Sequence, residues 1–179
     1  DAASVRGGEI GMIFQDPLTS PNPLRTVGDQ LVETIQLHLG LSGKAAEARA
    51  IELLKEVGID PERHTAFPHE FSGGMRQRIV IALALAPEPK LIIADEPTTA
   101  LDVSIQAQVL ALLRRLCKER GAAVILITHD MGVIAETTDR VAVLYAGRLV
   151  EEGPTADVIA APRHPYTVGL MASTPNLDA

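Results

Sequence analysis

Three short runs of apolar residues stand out along the chain, and each run ends at polar side chains. The runs cover residues 10–14, 91–94 and 122–127. Apolar runs without alternation are typical of parallel strands that are covered on both faces. The residues that follow the runs are Gln15 and Asp16, then Asp95 and Glu96, then Thr128, His129 and Asp130. We therefore predict a parallel sheet with polar groups along the edge where ligands bind in open α/β proteins.

The interval between the first two runs has the periodicity of helices. One helix is predicted to begin after Thr26 as its N-cap, and a second covers about residues 45–57 and stops at Gly58. Their apolar positions recur at helical spacing. These positions are Val27, Leu31, Ile35 and Leu39 in the first helix, and Ile51, Leu54 and Val57 in the second. No convincing strand pattern occurs between residues 21 and 87, so a mainly helical block is inserted between two strands.

Residues 71–78, FSGGMRQR, predict a helix start with an accessible backbone. Ser72 is a candidate N-cap for a helix that runs to about Ala86. Gly73 and Gly74 would leave the N–H groups of the first turn uncovered, and such a helix end attracts phosphate. The same letters also fit an ordinary loop-to-helix junction.

The C-terminal half of the chain predicts one long helix and a hairpin. The helix is capped by Asp102 and stopped by Gly121. Its predicted buried face consists of Ile105, Val109, Leu112 and Leu116. Residues 141–145 and 148–152 predict an antiparallel hairpin with its turn at Ala146 and Gly147.

Adjacent carboxylates at the end of a strand can divide two chemical tasks. One of Asp95 and Glu96 could hold a magnesium ion while the other polarises a water molecule. The alternative is a strand that ends in a solvated acidic turn. A lone histidine such as His129 is more often a hydrogen-bonded surface residue than a catalytic one, but its position after a third strand favours a functional role.

Composition limits the classes of function. With 179 residues, 46% of them hydrophobic, the chain can bury one sizeable core and carry a small second lobe. The net charge of −7 and the absence of a long basic run argue against nucleic-acid binding as the main activity. The sequence has no apolar stretch that approaches the length of a transmembrane helix. The single cysteine, Cys117, excludes an internal disulfide and is predicted to be a thiol buried on a helix.

Five motifs occur together in the order found in one family. They are Gln15 in IFQDP, residues 72–75 in SGGM, residues 91–96 in LIIADE, Asp102 in TALD and His129 in THD. With these motifs the chain resembles the ATP-binding cassette (ABC) ATPases, in which they are the Q-loop, the signature, the Walker B strand, the D-loop and the switch histidine. Met75, in place of the usual glutamine, and residues 164–173, HPYTVGLMAS, are similar to the oligopeptide, dipeptide and nickel importer branch.

The resemblance implies an α/β fold of the P-loop NTPase type, with a parallel core sheet and an inserted helical subdomain. We expect the helical subdomain at about residues 21–87, the catalytic core at 88–145, and a hairpin and tail at 146–179. No G-x-x-x-x-G-K-[ST] sequence for a phosphate-binding loop occurs in the 179 residues. The expectation is therefore an internal, N-terminally truncated piece of a longer protein, catalytically inactive on its own.

The resemblance also implies a role for each motif residue in the complete protein. Asp95 would hold Mg²⁺ through water, Glu96 would polarise the attacking water, and His129 would contact the γ-phosphate of ATP. Gln15 would touch the magnesium or the water and sense the membrane partner. Ser72, Gly73, Gly74 and Met75 would bind the γ-phosphate of an ATP held by the opposite subunit of a head-to-tail pair. Asp102 would cross that interface.

The implied function is the ATPase subunit of a bacterial-type peptide importer at the cytoplasmic face of the inner membrane. The implied partners are permease subunits, a second ATPase subunit that is identical or related, and, indirectly, an extracytoplasmic peptide-binding protein. A rival hypothesis is a soluble cassette protein that acts on nucleic acid or ribosomes. The sequence leaves open whether the cargo is dipeptides, longer peptides or nickel.

Overall fold

The computed structural model describes residues 8–14, 21–98 and 100–174. These residues divide into two compact units, one ending at Ile127 and the other beginning at Thr128. The first unit contains β1 (Ile10–Phe14), α1 (Val27–Leu39), α2 (Gly43–Glu56), two short 3₁₀ helices (Pro61–Thr65 and Pro68–Glu70), α3 (Gly73–Leu85), β2 (Leu91–Asp95), α4 (Val103–Arg120) and β3 (Ala123–Ile127). The second contains α5 (Met131–Thr137), β4 (Arg140–Tyr145), β5 (Arg148–Pro154), α6 (Thr155–Ala160) and α7 (Pro165–Ala172).

The described strands of the first unit form a parallel sheet in the order β1-β2-β3. Phe14, Asp95 and Ile127, the last residues of the three strands, lie side by side in the register. All three strands therefore end at one edge, and the predicted strands and their shared direction are confirmed.

Among the residues that the structure describes, only one face of this sheet is fully covered, which differs from the expectation of burial on both faces. Ile13, Ile92 and Ala94 are buried in the first core, whereas the alternate residues of β2 are half-buried. In β3, Ile125 and Ile127 remain 50% and 47% exposed. An unbroken apolar run predicted coverage on both sides, but in the described residues the helical core packs against one face only.

The helices of the first unit bury their apolar stripes in a single core. As predicted, Thr26 caps α1, and the described residues between 21 and 87 contain no strand. Leu54 and Val57 are buried as predicted, whereas Ile51 is only half-buried and does not belong to the inward face of α2. That face consists of Ala46, Ala50, Leu53 and Leu54. Within the described ranges, no helix is both long and apolar enough to cross a membrane.

A glycine in β1 lets a helix approach the sheet closely. A Cβ atom on Gly11 would lie 2.5 Å from Cδ1 of Ile92 and 2.8 Å from the carbonyl oxygen of Ala84 on α3. Both distances are too short for a real side chain, so the packing of α3 on this strand depends on glycine.

The second unit is built on the hairpin of β4 and β5. Its turn residues, Ala146 and Gly147, have φ angles of 49° and 75°, as a two-residue turn of type I′ requires. The predicted hairpin is thus confirmed. The second core contains residues from the hairpin and from α5, α6 and α7: Met131, Ile134, Val141, Val143 and Val158, with Val150, Tyr166, Leu170 and Met171 packed against them.

Candidate functional site

The acidic pair, Asp95 and Glu96, lies at the edge of the first unit's sheet. Asp95 is the last residue of β2 and is half-buried between Phe14 of β1 and Ile127 of β3 in the register. The backbone N–H of Glu96 donates to the carbonyl oxygen of Ile127 at 2.9 Å. This bond extends the strand pairing by one residue and fixes where Glu96 leaves the sheet.

Glu96 has a backbone conformation that non-glycine residues rarely adopt. Its φ angle is 47°, and Ala100, four residues later, has a φ angle of 71°. Left-handed conformations of this kind cost free energy and persist where the surrounding structure imposes them, often at functional sites. Between these residues Thr98 is buried, and its carbonyl oxygen accepts a hydrogen bond from Leu101 at 3.1 Å. The sequence patterns did not predict this strain.

The signature segment, residues 72–75, forms the beginning of α3. The Oγ atom of Ser72 accepts a hydrogen bond from the Met75 N–H at 3.3 Å, so the predicted N-cap is confirmed. Ser72 and Gly73 are exposed, whereas Gly74 is buried. Within this segment, the first two residues are therefore the part that is open to solvent.

The signature segment packs against the start of α4. A Cβ atom on Gly74 would lie 2.6 Å from Cγ2 of Ile105, and one on Gly73 would lie 3.4 Å from Cδ2 of Leu101. Asp102 caps α4 by accepting the Ile105 N–H at 2.9 Å. The fold thus brings the signature segment and the segment around Asp102 together through Gly74 and Ile105. Sequence reasoning had assigned Gly74 to phosphate contact and missed its packing role, which becomes visible only when the partner helix is known.

His129 belongs to the second unit, two residues after the end of β3. It is exposed and precedes Asp130, whose carboxylate caps α5 by accepting the Val133 N–H at 3.2 Å. The Asp130 N–H in turn donates to the Thr128 hydroxyl at 3.1 Å. These bonds fix the backbone around His129. Gln15 lies outside the described residues.

The donor set at the sheet edge is compatible with magnesium. Mg²⁺ is commonly bound by one or two carboxylates, with water and substrate phosphate as the remaining ligands. Asp95, a half-buried residue at the end of β2, supplies a carboxylate that fits this pattern. In the part of the chain that the structure describes, no group of three or more His, Cys, Asp or Glu residues is arranged to hold a metal by itself.

Two protein families match parts of the chain. Residues 1–99 match the family described as ABC transporter. The chain belongs to this family. Residues 150–179 match a second family, described as the C-terminal region of oligopeptide/dipeptide transporters. Both parts of the resemblance, to the ABC ATPases and to the peptide importer branch, are confirmed.

The similar curated proteins of this ABC family carry names connected with peptide transport. The oligopeptide transport ATP-binding protein OppD of Bacillus subtilis (strain 168) is 59% identical over 178 residues, which is 98% of this chain and 50% of OppD. The dipeptide transport ATP-binding protein DppD of the same organism is 56% identical over 97% of this chain and 52% of DppD. The chain therefore spans about half the length of the curated relatives it matches.

Solved structures of ABC proteins have the same fold. The ATP-binding cassette MJ0796, in a dimeric post-hydrolysis state with ADP and Pi, is 32% identical, with a TM-score of 0.72 over 86% of this chain and 66% of that one. The cbiO1 protein of Clostridium perfringens, part of the ABC transporter complex cbiONQ, is 31% identical, with a TM-score of 0.76 over 86% of this chain and 60% of that one. The α/β fold of an ATP-binding cassette is thus confirmed.

Proposed function

We propose that this chain is part of the ATPase subunit of a peptide importer and that the complete subunit hydrolyses ATP to drive transport. The observation that carries the proposal is the pair Asp95 and Glu96, held at the sheet edge of an ABC-family chain. The names of the relatives support peptides as the cargo class. They lend no support to the rival hypothesis of a cassette that acts on nucleic acid or ribosomes.

The two acids are proposed to do different work because their surroundings differ. Asp95, fixed between neighbouring strands, would hold Mg²⁺ through water, and the bound ion would neutralise charge on the phosphates. Glu96 leaves the sheet directly after a backbone hydrogen bond to Ile127, and its carboxylate would accept hydrogen bonding from the attacking water. His129 would contact the γ-phosphate, and Gln15 would touch the magnesium or the water.

The signature segment is proposed to serve a second subunit. Ser72 and Gly73 are exposed at the beginning of a 13-residue helix, where backbone N–H groups and the helix dipole favour an anion. Together with Gly74 and Met75 they would bind the γ-phosphate of an ATP held by the other subunit. Asp102 caps α4 at the N–H of Ile105, the residue that contacts Gly74, and it would lie at the same interface.

The remaining partners follow from the proposed transport. The complete subunit would lie at the cytoplasmic face of the membrane against permease subunits, with the helical block of residues 21–87 receiving the permease. A peptide-binding protein on the other side of the membrane would act on the ATPase only through the permease.

Reconstitution with the permease tests the proposal directly. The full-length subunit, its partner ATPase and the permease are placed in vesicles with the peptide-binding protein, and ATP hydrolysis and peptide uptake are measured together. We expect peptide to stimulate hydrolysis and to accumulate only when ATP is present. A Glu96→Gln subunit is the matched control and should support neither process. Hydrolysis that responds to RNA or ribosomes, without peptide uptake, would replace the proposal with its rival.

A further inference from the structure

One carboxylate in the second unit binds the chain just before α7. Oε1 of Glu151, on β5, accepts the backbone N–H of Arg163 at 2.5 Å and that of His164 at 2.9 Å. Hydrogen bonds to an ionised acceptor are roughly twice as strong as neutral ones. This carboxylate therefore connects the hairpin to the start of a helix twelve residues further along the chain.

The sequence of this segment leaves the two N–H groups few alternatives. Arg163 and His164 lie between Pro162 and Pro165. Because proline has no N–H and a fixed φ angle, these are the only two backbone donors in the four-residue segment, and its backbone is stiff. Both donors point to one oxygen atom of Glu151. The segment is thus shaped to present a pair of N–H groups to a single acceptor.

A β-bulge orients Glu151 toward the helix. Val143 pairs with Glu151 and Leu144 pairs with Leu149, so Val150 is an extra residue in β5. Adjacent strand residues normally point to opposite faces, but a bulge can redirect a side chain. Here Val150 packs against the second core while Glu151 reaches the start of α7, which packs on that core as well.

Contacts further along α7 complete the attachment. The ring of Tyr166 contacts that of Tyr145 in a tilted arrangement, with centroids 4.5 Å apart and an angle of 36° between the ring planes. Thr167 is fully buried next to Glu151. Across the described parts of the chain, its hydroxyl and Oε2 of Glu151 make no hydrogen bond, so the carboxylate is held by the two backbone N–H groups alone. His164 caps the helix, its Nδ1 accepting the Tyr166 N–H at 3.0 Å.

We propose that Glu151 is the latch that holds α7 on the hairpin. The stretch that matches the peptide transporter C-terminal region begins at residue 150, so it contains both the latch and the HPYT segment that the latch holds. In this interpretation Glu151 and the sequence from Pro162 to Thr167 act as one unit, with the carboxylate positioning the helix. The inference does not depend on the proposed transport activity, because it concerns contacts inside the second unit.

Amide hydrogen exchange followed by NMR tests the latch, with Glu151→Ala as the main variant. We expect exchange at Arg163 and His164 to become roughly tenfold faster or more, because both N–H groups lose their acceptor. The nuclear Overhauser contact between the rings of Tyr145 and Tyr166, the only two tyrosines in the chain, should weaken as α7 detaches. The matched control is Glu152→Ala, which removes the neighbouring exposed acid and its ion pair with Arg140; both readouts should remain at wild-type values.

A second variant separates charge from shape and covers the case in which the alanine variant fails to fold. Glu151→Gln keeps an acceptor oxygen of similar reach but loses the negative charge, so we expect exchange rates between those of the wild type and the alanine variant. Protection of amides in the hairpin of β4 and β5, in the same unit, serves as the check on folding. Exchange at Arg163 and His164 within about twofold of wild type in both variants, with the hairpin amides still protected, would overturn the proposal. An equal effect of Glu152→Ala would also overturn it.

Discussion

Asp95 and Glu96 are consecutive residues with different backbone environments. Asp95 is still part of the β2 ladder, whereas Glu96 has a φ angle of 47° and turns away from the sheet. Neighbouring residues of one strand would point to opposite faces, so this turn changes the direction in which the second carboxylate is presented. The sequence predicted the acids and the edge, but the turn depends on contacts of the following segment that no pattern reveals.

Two conservative substitutions test the division of labour in the complete subunit with its permease. Glu96→Gln should leave ATP binding intact and reduce turnover by about a hundredfold or more, because the amide keeps the shape of the carboxylate but is not a base. Asp95→Asn should weaken the magnesium-dependent part of ATP binding. Titration of ATP with and without Mg²⁺, together with turnover, measures both effects. Equal loss of binding in the two variants would contradict the assignment.

The ionisation of Glu151 should appear in the acid titration of the second unit. Partial burial raises the pKa of this carboxyl, but the N–H groups of His164 and Arg163, the Thr167 hydroxyl and the charge of His164 together outweigh burial, and the net pKa is lowered. A lowered pKa in the folded state means that the stabilisation is fully present above the ordinary glutamate value of about 4.3 and is lost as the pH falls through the folded-state value.

We therefore expect the amide proton shifts of Arg163 and His164 to share one transition with a midpoint below the ordinary glutamate value. The measurement is a series of NMR spectra, and Glu151→Gln is the control in which this transition should disappear. A midpoint at or above the ordinary glutamate pKa would show that the two hydrogen bonds do not favour the charged form.

At the scale of helices and strands, local sequence signals predicted where helices begin better than which faces of helices and strands are buried. Thr26, Ser72 and Asp102 were each predicted as N-caps, and each accepts the expected backbone hydrogen bond. Capping is a local interaction and can be seen in a few letters. The burial of a face depends on which other elements pack against it. For this reason Ile51 and the alternate residues Leu91 and Ile93 of β2 are more exposed than their apolar character predicted.

The contact between α3 and α4 gives a prediction at this scale. Gly74→Ala should destabilise the first unit by about 1–3 kcal/mol, because its Cβ would lie 2.6 Å from the β-branched Ile105. Gly73→Ala is the matched control: its Cβ would meet only an ordinary contact at 3.4 Å, so we expect a change below about 1 kcal/mol. Chemical denaturation measures both variants.

A double variant identifies the cause of the expected loss. Ile105→Ala removes the methyl group that Gly74→Ala would strike, so the two substitutions together should cost less than the sum of their separate effects. Strictly additive losses would mean that the close approach of the two helices is not what Gly74 provides.

At the scale of the whole molecule, family membership was predictable because five short motifs recur in a fixed order. The predicted three-part division remains a prediction. The contacts group the chain into two units, and the boundary in the sequence lies between Ile127 and Thr128. That boundary separates Glu96 from His129, and the letters around THD do not indicate it. Motif order is a property of the sequence alone, whereas unit boundaries depend on which distant residues pack together.

The proposed pairing of two subunits predicts an effect of Ser72→Arg that a simple helix cap would not produce. Ser72 is exposed at the start of α3, so an arginine there should cost about 1 kcal/mol of stability through loss of the cap. ATP binding by a lone full-length subunit should remain, because the segment is proposed to serve the neighbour's ATP. Turnover with the permease should nevertheless fall by about a hundredfold or more, because the long side chain would fill the place proposed for phosphate.

Mixing Ser72→Arg with Glu96→Gln subunits sharpens this test if the two ATPase subunits are identical. Each composite site would take its signature segment from one chain and its glutamate from the other. In a mixed pair, one site would then carry both lesions and the other would carry neither, so part of the activity should return relative to either variant alone, provided that the damaged site still lets the pair close. Turnover is measured at several mixing ratios, and Ser72→Thr, which keeps a capping hydroxyl, is the control for the helix start. The decisive result is the turnover of Ser72→Arg alone: a rate equal to that of the unmodified subunit in the presence of the permease would mean that residues 72–75 only begin a helix.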